Sequence, residues 1–141
     1  MGARHVARQL AVQALYALDL NPETDPAAAL HKAREEAPPE SRDEVYLDAL
    51  VTGAWQRRAE VDAALGAVSR RWKVHRMDRV DVGVLRMATF ELMFRLDTPA
   101  QVALDEGVEL AKEFGTPDSP AFVNGILDRI AREHRKDDLE A

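Results

Sequence analysis

The segment from residue 78 to residue 95 constrains the fold most strongly, because it is apolar around almost its whole helical circumference. At about 100° per residue, a helix on a protein surface shows one apolar stripe, whereas this segment has apolar residues on nearly every side. The pattern therefore predicts a central, buried helix that its neighbours cover. Its apolar residues are Val80, Val82, Val84, Leu85, Met87, Ala88, Phe90, Leu92, Met93 and Phe94.

The rest of the chain also shows helical periodicity, and no stretch alternates apolar and polar residues long enough to indicate a strand. We predict helices over residues 3–19, from Asp25-Pro26 to Pro38-Pro39, from a Ser41–Glu44 capping box through Val68, from Thr98-Pro99 to Phe114, and from Ser119-Pro120 onward. The charged tail, residues 136–141, is expected to fray.

These segments together predict one all-α domain over residues 1–141, a compact bundle of six to seven helices. A division near residue 75 would give two packed helical sub-bundles, about 1–75 and 76–135. No internal repeat indicates a solenoid.

The composition excludes several kinds of chemistry. The chain has no cysteine, so disulfides, thiolate metal sites and cysteine nucleophiles are excluded. It has no Gly-rich phosphate loop, G-x-S-x-G turn or H-E-x-x-H motif, and its four histidines share no ligand spacing. No apolar run approaches the ~20 residues that span a bilayer, and the N-terminus lacks the apolar region of a signal peptide. We therefore expect a cytoplasmic protein that needs no cofactor, metal or membrane.

The charge distribution indicates a polarised surface. The net charge of −6 argues against a protein that coats nucleic acid through bulk charge. Basic residues nevertheless concentrate between residues 70 and 86, namely Arg70, Arg71, Lys73, Arg76, Arg79 and Arg86 against Asp78 and Asp81. Scattered, solvated charges are the alternative.

The first predicted helix carries a basic arc. On a helical wheel, Arg4, His5, Arg8 and Tyr16 fall on one side, with Gln9 and Val12, opposite an apolar stripe of Val6, Leu10, Ala14 and Leu18. Arginines make salt-dependent phosphate contacts, and a tyrosine ring can stack on an unpaired base. The alternative is an ordinary exposed face whose tyrosine packs against a neighbouring helix.

Two arginines share one narrow stripe of the central helix, because Arg79 and Arg86 lie seven residues apart. An arginine among so many apolar groups needs an acceptor, since an unpaired buried charge is very costly. The stripe either forms internal salt bridges or opens at the surface and presents its guanidinium groups to phosphate or a base.

The last predicted helix places an aromatic ring at the edge of its core stripe. Val123, Ile126, Leu127 and Ile130 form that stripe, whereas Phe122 projects away from its centre. A ring at the margin can stack on a base, although it more often covers the edge of the core. Gly125 follows on the side away from the core and leaves the flank beside Phe122 bare, so that a helix or an RNA strand could approach.

Four sequence blocks follow one another along the chain, namely RQLAVQALYALDL, VLRMATFEL, GVELAKEFG and SPAFVNGILDRIA. In this order they resemble the NusB family of bacterial transcription antitermination factors. The resemblance implies an all-helical fold of two sub-bundles, no catalytic activity, and binding to the boxA element of nascent RNA, including ribosomal RNA leaders. It also implies a heterodimer with the ribosomal protein NusE, and a complex with NusA, NusG and RNA polymerase.

The resemblance also implies functional residues. The family's N-terminal basic segment falls on Arg4, His5 and Arg8, its other RNA-contacting positions fall on Tyr16, Arg86, Asp118 and Phe122, and a NusE-contacting acidic position falls on Asp81. Many members have several consecutive arginines where this chain reads GARHVAR, so we expect weaker phosphate affinity there, or reliance on residues 70–79.

Other functions remain open at this point. The chain could be a helical scaffold that binds only protein, or a detached targeting domain of a ribosomal RNA cytosine-C5 methyltransferase, although it lacks the cysteine and the α/β domain of such enzymes. The free protein could also form a homodimer that hides its basic face.

Overall fold

The computed structural model describes residues 2–140, in which eight α-helices are joined by short links. They are α1 (Ala3–Leu20), α2 (Pro26–Arg34), α3 (Glu44–Gln56), α4 (Arg58–Val68), α5 (Arg79–Phe94), α6 (Ala100–Phe114), α7 (Ser119–His134) and α8 (Lys136–Glu140). Two 3-10 turns occur at Pro39–Ser41 and Val74–Arg76, and the described range contains no strand. Seven of the eight helices are long, so the prediction of an all-α bundle of six to seven helices is confirmed.

Helix α5 lies at the centre, as its apolar circumference predicts. It packs against α1, α3, α4, α6 and α7. Three charged residues, Asp81, Arg86 and Glu91, are buried along its length together with its apolar side chains. One core of buried apolar residues includes members of α1 through α7, and the proposed division near residue 75 stays a prediction.

The prediction of one long helix from Glu44 to Val68 is wrong. The helix is interrupted at Arg57, whose φ of −100° and ψ of 17° separate α3 from α4. Arg58 donates a hydrogen bond from Nη1 to the carbonyl oxygen of Trp55 at 2.7 Å and lies over the Trp55 ring, so it satisfies a carbonyl near the end of α3. The break lets α4 turn and pack against both α5 and α7.

The predicted capping box at the start of α3 is also wrong. Asp43 is the N-cap and accepts a hydrogen bond from the backbone N–H of Tyr46 at 3.0 Å, whereas the Ser41 hydroxyl donates to the carbonyl of Pro38 inside the preceding 3-10 turn. The start of the helix therefore moves by two residues. By contrast, Asp25 caps α2 as predicted, and accepts from the N–H of Ala27.

The tail does not fray as predicted within the described residues, because residues 136–140 form α8. The Asp138 carboxylate accepts hydrogen bonds from the backbone N–H of Ala100 at 2.7 Å and from Arg135 at 2.6 Å. Arg135 is buried and also donates to the carbonyl of Thr98 at 2.7 Å. A carboxylate from α8 thus satisfies the N-terminus of α6, a place that favours negative charge.

A close approach of α6 to its neighbours positions α7. A Cβ atom added to Gly107 of α6 would lie 2.6 Å from Leu127 Cδ1 and 3.1 Å from Ala88 Cβ. A larger residue at this position of α6 would push α7 and α5 away from α6. None of the helices within residues 2–140 is long and apolar enough to cross a membrane.

Candidate nucleic-acid interface

Phe122 lies in the wall of an open groove of about 960 Å³ between α7 and the link after α4. The core stripe of α7 is buried as predicted, and Phe122 is half-buried at its edge. Gly125, one turn further along, is exposed, and a Cβ atom added to it would meet nothing within 4 Å. The predicted bare flank beside Phe122 is therefore confirmed as geometry.

The lining of this groove is basic. The lining residues include Arg70, Arg71, Arg129 and Arg132, against the single carboxylate of Glu133. Arg129 donates to the carbonyl of Val68 at 3.0 Å, and Arg132 pairs with Asp128 at 2.9 Å. Arg70 and Arg71 are exposed and have no hydrogen-bond or ion-pair partner among the described residues. Charge and shape together suit an anionic chain carrying flat rings.

A smaller pocket of about 200 Å³ adjoins the groove, since Trp72 and Phe122 line both. Asp118 and Asp81 also line it. Asp81 is 6% exposed, and its Oδ1 atom has no hydrogen-bond partner within residues 2–140. Burial raises the pKa of Asp81 above its ordinary value. Three residues predicted as functional, Asp81, Asp118 and Phe122, therefore meet in one place.

Arg8 does not lie on an exposed arc, and that prediction is wrong. It is 2% exposed and donates from Nε and Nη2 to the two carboxylate oxygens of Glu91 at 2.8 and 3.0 Å. The same carboxylate accepts from the Tyr46 hydroxyl, which also contacts the hydroxyl of Thr98 at 2.9 Å. Burial alone would lower the pKa of Arg8, but Glu91 outweighs it and raises the pKa, so the guanidinium stays charged.

The cause of this error is that neighbouring helices cover more of α1 than one stripe. Residues on both sides of the helix are buried, among them Val12 on the predicted exposed arc. Helices α2, α3 and α5 all pack on α1. The signal that could have revealed it is Glu91, a carboxylate among the apolar residues of the second half of that segment, because a buried carboxylate needs a cationic partner.

The other predicted residues of α1 lie near acidic neighbours. Arg4 lies 3.7 Å from an Asp43 carboxylate oxygen with its guanidinium over the Tyr46 ring, and His5 Nδ1 lies 2.6 Å from Glu106 Oε2. Tyr16 is half-buried. This end of α1 is therefore less electropositive than the sequence indicates.

Arg86 forms internal salt bridges, the first of the two alternatives. It donates to both carboxylate oxygens of Asp62 at 2.9 and 2.8 Å and to Asp19 at 2.9 Å, and it is 8% exposed. Arg79 shares Asp19 through two hydrogen bonds of 2.7 Å. Arg86 lines a separate recess beside Trp55, so the structure does not bring it to the Phe122 groove.

Sequence reasoning missed Trp72, which is 55% exposed between the groove and the smaller pocket. A tryptophan within a short, arginine-rich link was a visible signal, because such a link has no core of its own to hold a large ring.

Known proteins match this chain over almost its whole length. Residues 5–132 match the model of the NusB family. The chain is 46% identical over 132 residues to the transcription antitermination protein NusB of Geobacter sulfurreducens, covering 93% of this chain and 95% of the relative. It is 40% identical over 140 residues to the NusB of Syntrophus aciditrophicus, covering 98% and 86%.

Solved structures show the same fold. The chain superposes on T. maritima NusB with a TM-score of 0.83 and 34% identity, over 100% of both chains. A structure of the antitermination factors NusB and NusE in complex with dsRNA superposes with a TM-score of 0.79 and 25% identity, over 92% of this chain and 96% of that one. Sequence and fold therefore agree that this chain belongs to the NusB family of transcription antitermination proteins.

Proposed function

We propose that this chain is a non-catalytic, cytoplasmic antitermination factor that binds boxA-like single-stranded RNA together with a NusE-like ribosomal protein. It acts in a complex with NusA, NusG and RNA polymerase. The family member solved with NusE and dsRNA supports NusE as a partner and RNA as a ligand class.

The observation that carries the proposal is the groove at Phe122. Its half-buried ring belongs to helix α7, its flank is open at Gly125, and four arginines line the same groove. An aromatic ring binds an unstacked base while cations bind the backbone, a combination typical of single-strand recognition.

Asp78, Asp81 and Asp118 line the adjoining pocket, and the last two differ in accessibility. Asp118 is exposed at the mouth of the pocket and can accept hydrogen bonds from the amino groups of a base. Asp81 lines the pocket and is buried, so a partner group that donates to its Oδ1 atom would satisfy a buried acceptor that has no partner among the described residues. We assign Asp118 to RNA and Asp81 to the NusE-like partner.

The remaining predicted RNA contacts are secondary in this proposal. Arg4 and His5 in the first turn of α1, and Tyr16 in its C-terminal half, contribute a weaker contact. For Arg8 and Arg86 the RNA contact stays a prediction, because each would have to share its guanidinium with the carboxylates that it already binds.

Fluorescence anisotropy with labelled boxA RNA and a scrambled oligonucleotide of equal composition tests the proposal. The protein, the NusE-like partner and their equimolar mixture are each titrated, and a duplex of the boxA sequence is included. We expect the mixture to bind boxA most tightly, with an affinity that falls steeply as salt rises. Equal affinity for boxA and scrambled RNA would refute sequence-specific binding.

Phe122→Ala tests the groove itself. Stacking of one base contributes about 1–3 kcal/mol, so we expect at least about fivefold weaker binding. Phe94→Ala is the matched control, because Phe94 is also half-buried but packs on Phe90 away from the groove. If the partner still binds the wild-type protein while no RNA binds either protein or mixture, the chain is a protein-only scaffold.

A further inference from the structure

Trp72 offers a second flat surface beside Phe122. Its ring is 55% exposed, whereas Trp55, the other tryptophan of the chain, is 7% exposed. Exposing a large aromatic side chain forfeits the apolar burial that normally stabilises it. Trp72 lines both the basic groove and the carboxylate pocket, so it lies on the boundary between them.

Two hydrogen bonds to backbone carbonyls restrain the link that carries Trp72. The Ser69 hydroxyl donates to the Trp72 carbonyl at 2.8 Å, and Arg129 of α7 donates to the Val68 carbonyl at 3.0 Å. These bonds tie the end of α4 to α7 and to the link. The backbone that carries the ring is therefore ordered before any ligand binds, which lowers the entropy cost of binding.

Two cations without partners precede the ring in the sequence. Arg70 and Arg71 are exposed and, among the described residues, make no hydrogen bond or ion pair, unlike Arg8, Arg79 and Arg86. A free guanidinium can neutralise a phosphate without first losing a carboxylate partner. These two arginines are thus better suited to phosphate than those of α1 and α5.

Resting on the proposed RNA binding, we infer that Trp72, Arg70 and Arg71 form a second single-strand RNA subsite, continuous with the one at Phe122. A base stacks on Trp72, its neighbouring phosphates contact Arg70 and Arg71, and the strand continues past the open flank of Gly125. Three carboxylates and one arginine line the pocket, namely Asp78, Asp81, Asp118 and Arg76, whereas the groove is lined by four arginines and the one carboxylate of Glu133. The strand therefore lies with base edges toward the pocket and backbone toward the groove.

Intrinsic fluorescence and anisotropy test this subsite with the boxA oligonucleotide and the NusE-like partner present. Trp72→Ala should weaken RNA binding about 5- to 100-fold, whereas Trp72→Phe retains a stacking ring and should stay within a few fold of wild type. RNA should quench the wild-type fluorescence, and the quenching should disappear in Trp72→Phe, where only the buried Trp55 remains.

The phosphate contacts are tested by salt dependence. Replacing Arg70 and Arg71 together by alanine should make the slope of log affinity against log salt shallower by about 1.4, since each phosphate contact of a single strand contributes about 0.7. The matched control replaces Lys32 and Lys112, two exposed lysines outside the groove, and should leave the slope unchanged within about 0.3.

The outcomes separate this inference from the proposed function. If Phe122→Ala loses RNA while the Trp72 and arginine variants bind as wild type, the proposed function stands and the second subsite is overturned. If these variants lose the NusE-like partner but not RNA, the surface binds protein and the inference is again overturned. If the wild-type protein binds no RNA with or without the partner, both the second subsite and the proposed RNA-binding function are refuted.

Discussion

Replacement of Gly125 by alanine should change stability and RNA affinity in opposite directions. Gly125 lies in the interior of α7, is exposed, and has no left-handed φ. An added methyl group meets no atom within 4 Å, so it introduces no strain. A glycine in a helix interior costs about 1 kcal/mol against alanine, partly because it makes the unfolded chain more flexible. We therefore expect Gly125→Ala to raise the free energy of unfolding by about 1 kcal/mol in urea titrations.

The same methyl group occupies space in the groove beside Phe122. Gly125→Leu keeps a good helix former and fills more of the groove, so it should weaken boxA binding about tenfold, or ~1.4 kcal/mol, while Gly125→Ala has a smaller effect. Gly66 offers the matched control, because it is an exposed glycine of α4 with open space around it and does not line the groove. Alanine or leucine at Gly66 should leave RNA affinity unchanged.

Two results would refute this reasoning. A fall in stability of Gly125→Ala would mean that the helix needs glycine at this position for a reason other than space. Unchanged RNA affinity of a stable Gly125→Leu variant would mean that no strand approaches α7 at this point, and that the proposed course of the RNA is wrong.

Three further predictions concern charged residues. Arg8→Met or Glu91→Leu alone should lower the free energy of unfolding by about 3–5 kcal/mol, because each substitution leaves the other charge buried without its partner. The double variant should recover most of this stability in urea titrations, and additive losses would contradict the buried pair. Hydrogen bonds from Arg79 and Arg86 hold the pKa of Asp19 below its ordinary value. The contribution of Asp19 to the free energy of unfolding is therefore fully present above the ordinary pKa, and it is lost as the pH falls through the lowered pKa of the folded protein. Asp19→Asn should therefore lower the free energy of unfolding by about 1–2 kcal/mol at neutral pH and by progressively less as the pH falls below the ordinary pKa of an aspartate, and a loss that does not change with pH would contradict the ion pair. Asp138→Ala should lower the free energy of unfolding by about 1 kcal/mol and speed hydrogen exchange at the Ala100 amide, because the carboxylate that accepts from this amide is lost. An unchanged exchange rate at Ala100 would contradict the capping of α6 by α8.

The fold was largely predictable because helical periodicity is a local property of the sequence. The central position of α5 followed from its apolar circumference, and the buried stripe of α7 followed from its spacing. The errors concern features that depend on tertiary packing. The break at Arg57 and the docking of α8 through Asp138 depend on neighbours distant in the sequence, which periodicity does not report.

The candidate interface was less predictable, because a helical wheel gives direction but not surroundings. Phe122 and the bare flank at Gly125 were found from angles alone. Arg8 pointed in a definite direction too, but other helices cover that side of α1. Trp72 was missed because it lies in an irregular link, where no period indicates which side faces solvent.

The buried cluster around Glu91 has a consequence for how sequences with this fold can diverge. Its members come from α1, α3, α5 and the link before α6, namely Arg8, Tyr46, Glu91 and Thr98. Loss of any one leaves polar atoms in an apolar interior without partners, whereas simultaneous apolar replacement does not. Substitution at these four positions should therefore be correlated: relatives either keep the polar set or replace it together, and chains with only part of it should be rare.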